Sequence, residues 1–248
     1  MSYRPRTDVP RLIAHRGASA VAPENTIAAF EAAKRLGASW VEFDAMLCAD
    51  GTPVVIHDET LRRTTGTDGW VAETSLADMQ RLDAGRWFSE EFAGARIPTL
   101  ADALEALGRL GLGANVEIKP ATGHEERTGK VVARHLARDW PASLPPPVVS
   151  SFAVPALRAA HAEAPGLDYA PLLEMIPDDW RAHLDAVGAQ ALHCNARRLT
   201  EGRVREVTGA GAAVRCYTVN DARQAKRLFA RGVASLFSDR PDLLPAVA

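Results

Sequence analysis

Eight short apolar segments, separated by stretches with helical periodicity, constrain the fold of this 248-residue chain more than any other feature. The segments are centred near residues 12, 42, 117, 150, 170, 192, 216 and 237. Apolar strands that alternate with helices of about ten residues are typical of βαβ units in a parallel sheet. Eight such units in about 250 residues predict an α/β fold of the (β/α)8 type, a TIM barrel, with 1–248 as a single domain.

An open, doubly wound sheet is the alternative architecture. Sheets of that kind usually bind nucleotides, but no Gly-x-Gly-x-x-Gly motif or phosphate-binding loop follows any of the predicted strands in this sequence. The composition is that of an ordinary soluble domain, with 47% hydrophobic and 24% charged residues. The net charge of −2 provides no basic surface for nucleic acid or anionic membrane, so a bound phosphate must be held by local groups.

The cysteines and the first residues indicate a cellular compartment. Cys48, Cys194 and Cys216 are widely spaced and odd in number, which fits neither a disulfide framework nor a zinc motif. They are typical of buried apolar residues in a reducing compartment. The basic start over 1–6 has no apolar segment behind it, and no run approaches the length of a membrane span. We therefore expect a cytoplasmic protein.

A predicted β-hairpin over 41–58, after the second strand, carries two acids and a histidine. Asp50-Gly51 between apolar arms is a strong signal for a two-residue turn. That turn would place Asp44 opposite His57, with Glu42 on the same face. Burying ionisable groups in such an apolar hairpin costs free energy unless a metal or a substrate binds them. The alternative interpretation is that the acids simply face solvent.

Residues 58–98 form a small insertion without a clear period. This stretch contains the aromatic residues Trp70, Trp87, Phe88 and Phe92. Irregular segments of this length are usually functional or form a small subdomain. We interpret the insertion as a cap over the mouth of the site; the alternative is a satellite cluster beneath a long loop.

Capping signals mark three helix starts. Asn25 is predicted to cap a helix over 26–36, and Asn220 to cap the last long helix. Thr99 and Asp102 resemble a capping box, in which Asp replaces the usual Glu.

Seven ionisable residues are predicted to meet at the mouth of the barrel, where the C-terminal ends of the strands lie. They are His15, Arg16, Glu42, Asp44, His57, Glu117 and Lys119. Three carboxylates held together repel one another unless a cation lies between them. Hard oxygen ligands of this number suit Mg²⁺ or Ca²⁺, so we expect one divalent cation on Glu42, Asp44 and Glu117.

Arg16 and Lys119 supply positive charge that the acids do not need, which indicates an anionic substrate. Arg16 offers a bidentate match to phosphate, and Lys119 offers a point charge. His15 and His57 can form a general acid and general base pair, in an order that the sequence leaves open. The predicted reaction is metal-assisted cleavage of a phosphodiester.

Spaced motifs along nearly the whole chain resemble one known family. They are His15-Arg16-Gly17, Pro23-Glu24-Asn25-Thr26, Glu42-Phe43-Asp44, His57-Asp58, Glu117-Ile118-Lys119, Ser151-Phe152, Tyr217-Thr218-Val219-Asn220 and Asp239-Arg240-Pro241. In these motifs the chain is similar to the glycerophosphodiester phosphodiesterases of the short cytoplasmic bacterial type. The resemblance implies a TIM barrel with the metal ligands, catalytic histidines and phosphate-binding residues named above. It also implies hydrolysis of deacylated phospholipids, such as glycerophosphocholine and glycerophosphoethanolamine, to sn-glycerol 3-phosphate and an alcohol.

Five further residues are assigned around this set. Tyr217, where many relatives carry Trp, keeps a flat face for the glycerol or alcohol group, and Glu24 is expected to orient Arg16. Phe152 either packs in the barrel or forms a wall for substrate. His193 is either a packed strand histidine or a residue that looks into the barrel mouth. Asp239 is given only a turn role.

Two other functions remain as alternatives. A lipid-headgroup phosphodiesterase or phospholipase would need a membrane-facing surface, and a non-catalytic barrel that binds glycerophosphodiesters would be expected to lack a histidine or a carboxylate. The oligomeric state, the preferred alcohol group, the choice between Mg²⁺ and Ca²⁺, and the choice between a cyclic phosphate and direct water attack are left open.

Overall fold

A closed ring of eight parallel strands forms the centre of the protein in the computed structural model, which describes residues 3–243. The strands are β1 (Leu12–His15), β2 (Trp40–Leu47), β3 (Pro53–Val55), β4 (Gly113–Ile118), β5 (Val148–Ser151), β6 (Asp168–Leu173), β7 (Ala191–Asn195), β8 (Ala213–Tyr217) and β9 (Ser235–Ser238). The sheet order is β1-β9-β8-β7-β6-β5-β4-β2-β3, and an additional pairing of β1 with β2 closes the ring. The predicted (β/α)8 barrel is confirmed, with β3 as one extra antiparallel strand beside β2.

Helices surround the barrel and cover its outer surface. They are α1 (Ile27–Arg35), α4 (Leu100–Leu110), α5 (Glu125–Asp139), α6 (Val154–Glu163), α7 (Trp180–Asp185), α8 (Glu201–Gly209) and α9 (Ala222–Ala230), whereas the short helices α2 (Arg62–Thr65) and α3 (Leu76–Met79) lie in the segment after β3. Alternate residues of β2 point outward to this layer, so the Phe43 ring lies 5.5 Å from the Phe30 ring of α1. Within residues 3–243, no helix combines the length and the apolar character that a membrane crossing requires.

The helix caps confirm one prediction and correct two. Thr99 and Asp102 form the predicted capping box of α4. Thr26, rather than Asn25, caps α1, and Asp221, rather than Asn220, caps α9. In both corrected cases the asparagine directly precedes the capping residue. Its side chain instead donates to a carboxylate, of Asp44 for Asn25 and of Asp239 for Asn220.

The hairpin has a different register from the predicted one. Ala45 pairs with Val55, and Gly51 at φ +76° closes a three-residue loop over 49–51. A two-residue I′ turn needs positive φ at both of its residues, and here Gly51 has positive φ but Asp50 does not. The Asp50 carboxylate accepts a hydrogen bond from the Leu76 N–H of α3 at 2.6 Å. Asp44 therefore lies opposite Ile56, and the Ile56 N–H donates to the Asp44 carbonyl. His57 follows just beyond the paired residues.

The insertion over 58–98 shares one apolar cluster with the hairpin. We call this set of insertion and hairpin residues the insertion cluster. Its buried members are Met46, Cys48, Val54, Ile56, Leu61, Val71, Met79, Ala84 and Ile97. Two of the four aromatic side chains singled out above are exposed, Trp70 by 51% and Trp87 by 40%.

Candidate active site

Three acids meet inside the mouth of the barrel because of strand register. Asp44 of β2 pairs with Glu117 of β4, and Glu42 lies two residues earlier on the same inward face. One carboxylate oxygen from each residue lies within 4.8 Å of the other two. Glu42 and Asp44 are buried, and Glu117 is partly buried. These side chains therefore form a compact group of oxygen ligands that could hold a metal ion.

The electrostatics of the three acids fit a cation. Burial, and then the charges of Asp44 and Glu117, raise the pKa of Glu42 well above its usual value. Burial and the Asp44 charge raise the pKa of Glu117 to about 8. Glu42 Oε1 is buried and has no hydrogen-bond partner among the described residues. A divalent cation would relieve the repulsion and supply the missing partner of this oxygen.

Neighbouring groups hold two of these acids in place. The Asn25 side chain donates to Asp44 Oδ2 at 2.8 Å and accepts from the Asp44 N–H at 3.2 Å. The backbone N–H of Arg16 donates to Glu42 Oε2 at 2.9 Å. Both Arg16 and Asn25 have positive φ, at 53° and 58°, a conformation that these hydrogen bonds help to maintain.

The Arg16 guanidinium lies at the edge of the acid group. Its Nη1 donates to Glu24 Oε1 at 2.8 Å, and its Nε lies 3.4 Å from Asp44 Oδ2. Glu24 is therefore in the position predicted for a residue that orients Arg16.

His15 at the end of β1 is held by Asp239. The distance from His15 Nδ1 to Asp239 Oδ1 is 2.6 Å, and His15 Nε2 lies 3.9 Å from Glu42 Oε2. Burial by itself would raise the pKa of Asp239, but hydrogen bonds from His15, Asn220 and Ser19 hold it at about 2. The assignment of Asp239 to a turn alone is therefore wrong, since its carboxylate fixes the ring of His15.

His57 has a carboxylate on one ring nitrogen and an ammonium on the other. Its Nδ1 lies 2.6 Å from Asp58 Oδ1, and Lys119 Nζ lies 3.0 Å from its Nε2. An ammonium only donates, so the neutral ring carries its proton on Nδ1 and accepts from Lys119 through the Nε2 lone pair. Burial lowers the pKa of His57, and the charges of Arg16 and Lys119 act in the same direction.

A cavity of about 230 Å³ lies beside the acids and both histidines. Phe152 and Tyr217 form its aromatic corner, with ring centroids 5.7 Å apart and ring planes at 82°. Phe152 is 44% exposed, and the Tyr217 hydroxyl donates to the Leu173 carbonyl at 2.9 Å. Glu174, which the sequence analysis did not single out, also lines this cavity.

His193 lies at the floor of the cavity. It is both a packed strand histidine and a residue that faces the barrel mouth, the two alternatives given above. It lines the cavity but is fully buried, and its ring lies 4.9 Å from the Phe237 ring. Arg215 Nη1 lies 3.3 Å from His193 Nε2, and burial followed by this charge lowers the pKa of His193 well below its usual value.

Sequence reasoning missed the residues that support the site from behind. Asp58 and Arg63 beside His57, Asp239 beside His15, and Asn25 beside Asp44 received no such role. Asp58 and Asp239 lie within motifs quoted for the family resemblance, but only the tertiary contacts distinguish them from turn residues. The arrangement as a whole is the one expected of a phosphodiester hydrolase built on a barrel.

Comparison with known proteins identifies the family. The model of the glycerophosphoryl diester phosphodiesterase family matches residues 15–243. A glycerophosphodiester phosphodiesterase of Caldanaerobacter subterraneus is 35% identical over 238 residues, which cover 94% of this chain and 95% of that protein. One from Bacillus subtilis is 33% identical over 252 residues, with 95% and 85% covered. The chain belongs to the glycerophosphoryl diester phosphodiesterase family.

A solved structure supports the same conclusion at the level of the fold. An Oleispira antarctica phosphodiesterase, determined in complex with the product sn-glycerol-3-phosphate, superposes with a TM-score of 0.93. The two proteins are 38% identical, and the match covers 96% of each chain. The present chain is thus an enzyme of the phosphodiesterase class on a (β/α)8 barrel.

Proposed function

We propose that this enzyme uses a divalent cation to hydrolyse glycerophosphodiesters, such as glycerophosphocholine and glycerophosphoethanolamine, to sn-glycerol 3-phosphate and an alcohol. One observation carries the proposal: three acid oxygens within 4.8 Å of one another lie beside two histidines, each held by a carboxylate. The product bound to the Oleispira antarctica relative is consistent with this substrate class.

Glu42, Asp44 and Glu117 would hold the cation, Mg²⁺ or Ca²⁺. When bound, the ion neutralises charge on the phosphate and polarises the attacking oxygen. Arg16 and Lys119 would bind the remaining phosphate oxygens through their positive charge. Glu24 holds Arg16 at the rim of the acid group, and Lys119 lies beside His57.

The two histidines divide the proton transfers. His57 Nε2 has a free lone pair once Lys119 turns to the phosphate, so His57 takes the proton from the attacking oxygen. His15 delivers a proton to the leaving alcohol oxygen, and the Asp239 carboxylate, 2.6 Å from His15 Nδ1, holds the ring in place. One P–O bond forms and one breaks. The attacking oxygen belongs to water or, in a two-step route, to a glycerol hydroxyl.

The alcohol group is assigned to the aromatic corner. Phe152 and Tyr217 offer flat faces, and the Glu174 carboxylate lines the same cavity. Aromatic faces beside an acid suit the ammonium group of choline or ethanolamine.

The test is release of sn-glycerol 3-phosphate from glycerophosphocholine by metal-stripped protein, with Mg²⁺, Ca²⁺ or nothing added back. We expect one of these ions to restore activity, and His15→Ala and Glu117→Ala to abolish it. No release from several glycerophosphodiesters with either ion would overturn the proposal and favour a lipid headgroup substrate or a binding function.

A cytoplasmic location is part of the same proposal. Cys48, Cys194 and Cys216 are all free and buried, as expected in a reducing compartment. Fractionation of the producing cells, followed by immunodetection, tests this location.

A further inference from the structure

An arginine of the insertion contacts two carboxylates that support different parts of the site. Arg63 of α2 donates to Asp58 through Nε at 2.6 Å and Nη2 at 3.1 Å. It also donates to Glu24 through Nη1 at 2.7 Å and Nη2 at 2.8 Å. Arg63 thus makes two bidentate ion pairs at once, a geometry that suits its planar guanidinium.

The oxygens that Arg63 shares are the ones that hold Arg16 and His57. Its Nη2 contacts Glu24 Oε1, which also accepts from Arg16 at 2.8 Å. The same nitrogen contacts Asp58 Oδ1, which lies 2.6 Å from His57 Nδ1. One continuous chain of alternating charges therefore runs from Arg16 through Glu24 and Arg63 to Asp58, whose carboxylate binds His57.

The insertion holds Arg63 firmly in this position. Leu61, just before α2, is buried in the insertion cluster, and its N–H donates to the Gly69 carbonyl at 3.0 Å. Thr65 Oγ1 donates to the Leu61 carbonyl at 2.8 Å. Among the described residues that line the 230 Å³ cavity, none comes from 58–98. The insertion therefore contributes no side chain to this cavity and contacts the site through Asp58, at its start, and through Arg63.

We propose that Arg63 is a positioning residue that fixes the phosphate-binding Arg16 and the base His57 relative to each other; the inference rests on the proposed function. Without Arg63, Glu24 and Asp58 face each other with no shared cation, and each is free to rotate away from its partner. A lysine provides one point charge, which cannot pair with both carboxylates in the same way.

The test compares Arg63→Gln with Arg62→Gln, its sequence neighbour. Arg62 is exposed and pairs with Asp68, away from the site, so its variant is the matched control. We expect Arg63→Gln to lower kcat/KM for a glycerophosphodiester by about 10- to 100-fold, the usual effect of removing a residue that orients a directly acting group. Both kcat and KM should change, since His57 and Arg16 are both affected. Arg63→Lys should be intermediate, and added guanidinium should restore part of the activity of Arg63→Gln only.

Double-mutant cycles distinguish positioning from an independent effect. Combined with Asp58→Asn or with Glu24→Gln, the Arg63→Gln loss should be much smaller than in the wild-type background, because the contact is already broken. Losses that multiply independently in both cycles would overturn the proposal, as would a kcat/KM of Arg63→Gln equal to that of Arg62→Gln.

A readout independent of turnover separates this inference from the proposed function. In ¹⁵N-labelled protein, the His57 Nδ1 proton should be observable in the wild type and in Arg62→Gln, and lost to exchange in Arg63→Gln. If the wild type hydrolyses no glycerophosphodiester, the proposed function fails while this signal still decides the role of Arg63. An unchanged signal in Arg63→Gln overturns that role. If Arg63→Gln does not fold by circular dichroism, Arg63→Lys is judged on the same measurements.

Discussion

The pKa values of neighbouring carboxyl groups in the site are shifted in opposite directions from their usual values. Burial and mutual repulsion raise the pKa of Glu42 and Glu117, whereas hydrogen bonds to Arg63 and His57 keep the pKa of Asp58 well below its usual value. The difference arises from partners: Asp58 has cationic or donor neighbours, and the three-acid group has too few. That deficit is a property of the folded chain, and it can be measured through stability.

The metal-free protein is expected to lose stability as pH rises from about 5 to 8. The pKa of Glu117 is about 8 in the folded state and 4.5 in its usual environment, so within that range the folded state binds a proton that the unfolded state has released. The free energy of unfolding then falls by up to about 1.4 kcal/mol per pH unit for this group. Urea unfolding of metal-stripped wild type and Glu117→Gln measures the two slopes.

Glu117→Gln should show the shallower decline, with the remainder due to Glu42. Added Mg²⁺ or Ca²⁺ should stabilise the wild type at pH 8 and have much less effect on the variant. Equal slopes in the two proteins, with equal responses to the ions, would contradict the assignment of Glu117 as a ligand.

At the scale of elements, the connection between β1 and α1 supplies the residues that contact Glu42 and Asp44. Its chain folds back so that the Asn25 N–H donates to the Arg16 carbonyl at 3.1 Å, and the Ala18 N–H donates to the Ala29 carbonyl at 3.0 Å. Gly17, at φ +79°, lies so close to α1 that an added Cβ would be 2.7 Å from the Ala29 carbonyl carbon. The close contact explains why a glycine follows Arg16.

Gly17→Ala is expected to destabilise the protein by more than about 2 kcal/mol, because a left-handed backbone and a backbone clash act together. Gly37→Ala is the matched control, since Gly37 has φ +88° but no atom of residues 3–243 lies within 4 Å of its added Cβ. It should cost only about 1 kcal/mol. Thermal and urea unfolding provide both values, and equal losses would show that the contact with α1 is unimportant.

Prediction from sequence was accurate for elements with a period and less accurate where side chains compete. The capping box at Thr99 follows from a local pattern and is confirmed. Asn25 was predicted as a cap, but Thr26 takes that role because Asp44 binds the Asn25 side chain. Similarly, the hairpin loop has three residues, with positive φ at Gly51 but not at Asp50, whose carboxylate accepts a hydrogen bond from α3, a segment distant in sequence.

At the scale of the whole molecule, the barrel and the insertion share apolar residues. Met46, Cys48, Val54 and Ile56 belong to the hairpin but are buried in the insertion cluster. The insertion therefore has no separate core, and its unfolding exposes the end of β2. We infer that the two parts unfold together.

Met79→Ala tests this coupling, since Met79 is fully buried in the insertion cluster. The cavity should lower the free energy of unfolding of the whole protein by about 2 to 5 kcal/mol. Tryptophan fluorescence, which includes Trp70 and Trp87 of the insertion, and far-ultraviolet circular dichroism should give coincident urea transitions in the variant. Met175→Ala, at a 56% exposed position, should change little. An earlier fluorescence transition in Met79→Ala would indicate an independent insertion.

The sequence by itself determined the alternation of strands and helices, the barrel, and which acids, histidines and cations lie at strand ends. These properties depend on periodicity and chain order, which are local. Only the tertiary structure decided which partners complete each group: Asp239 on His15, Asp58 on His57, Asn25 on Asp44, and Arg63 between two carboxylates. Such pairings join residues up to 224 positions apart, and a short polar side chain near a turn has the same local pattern whether it caps, turns or supports a catalytic ring.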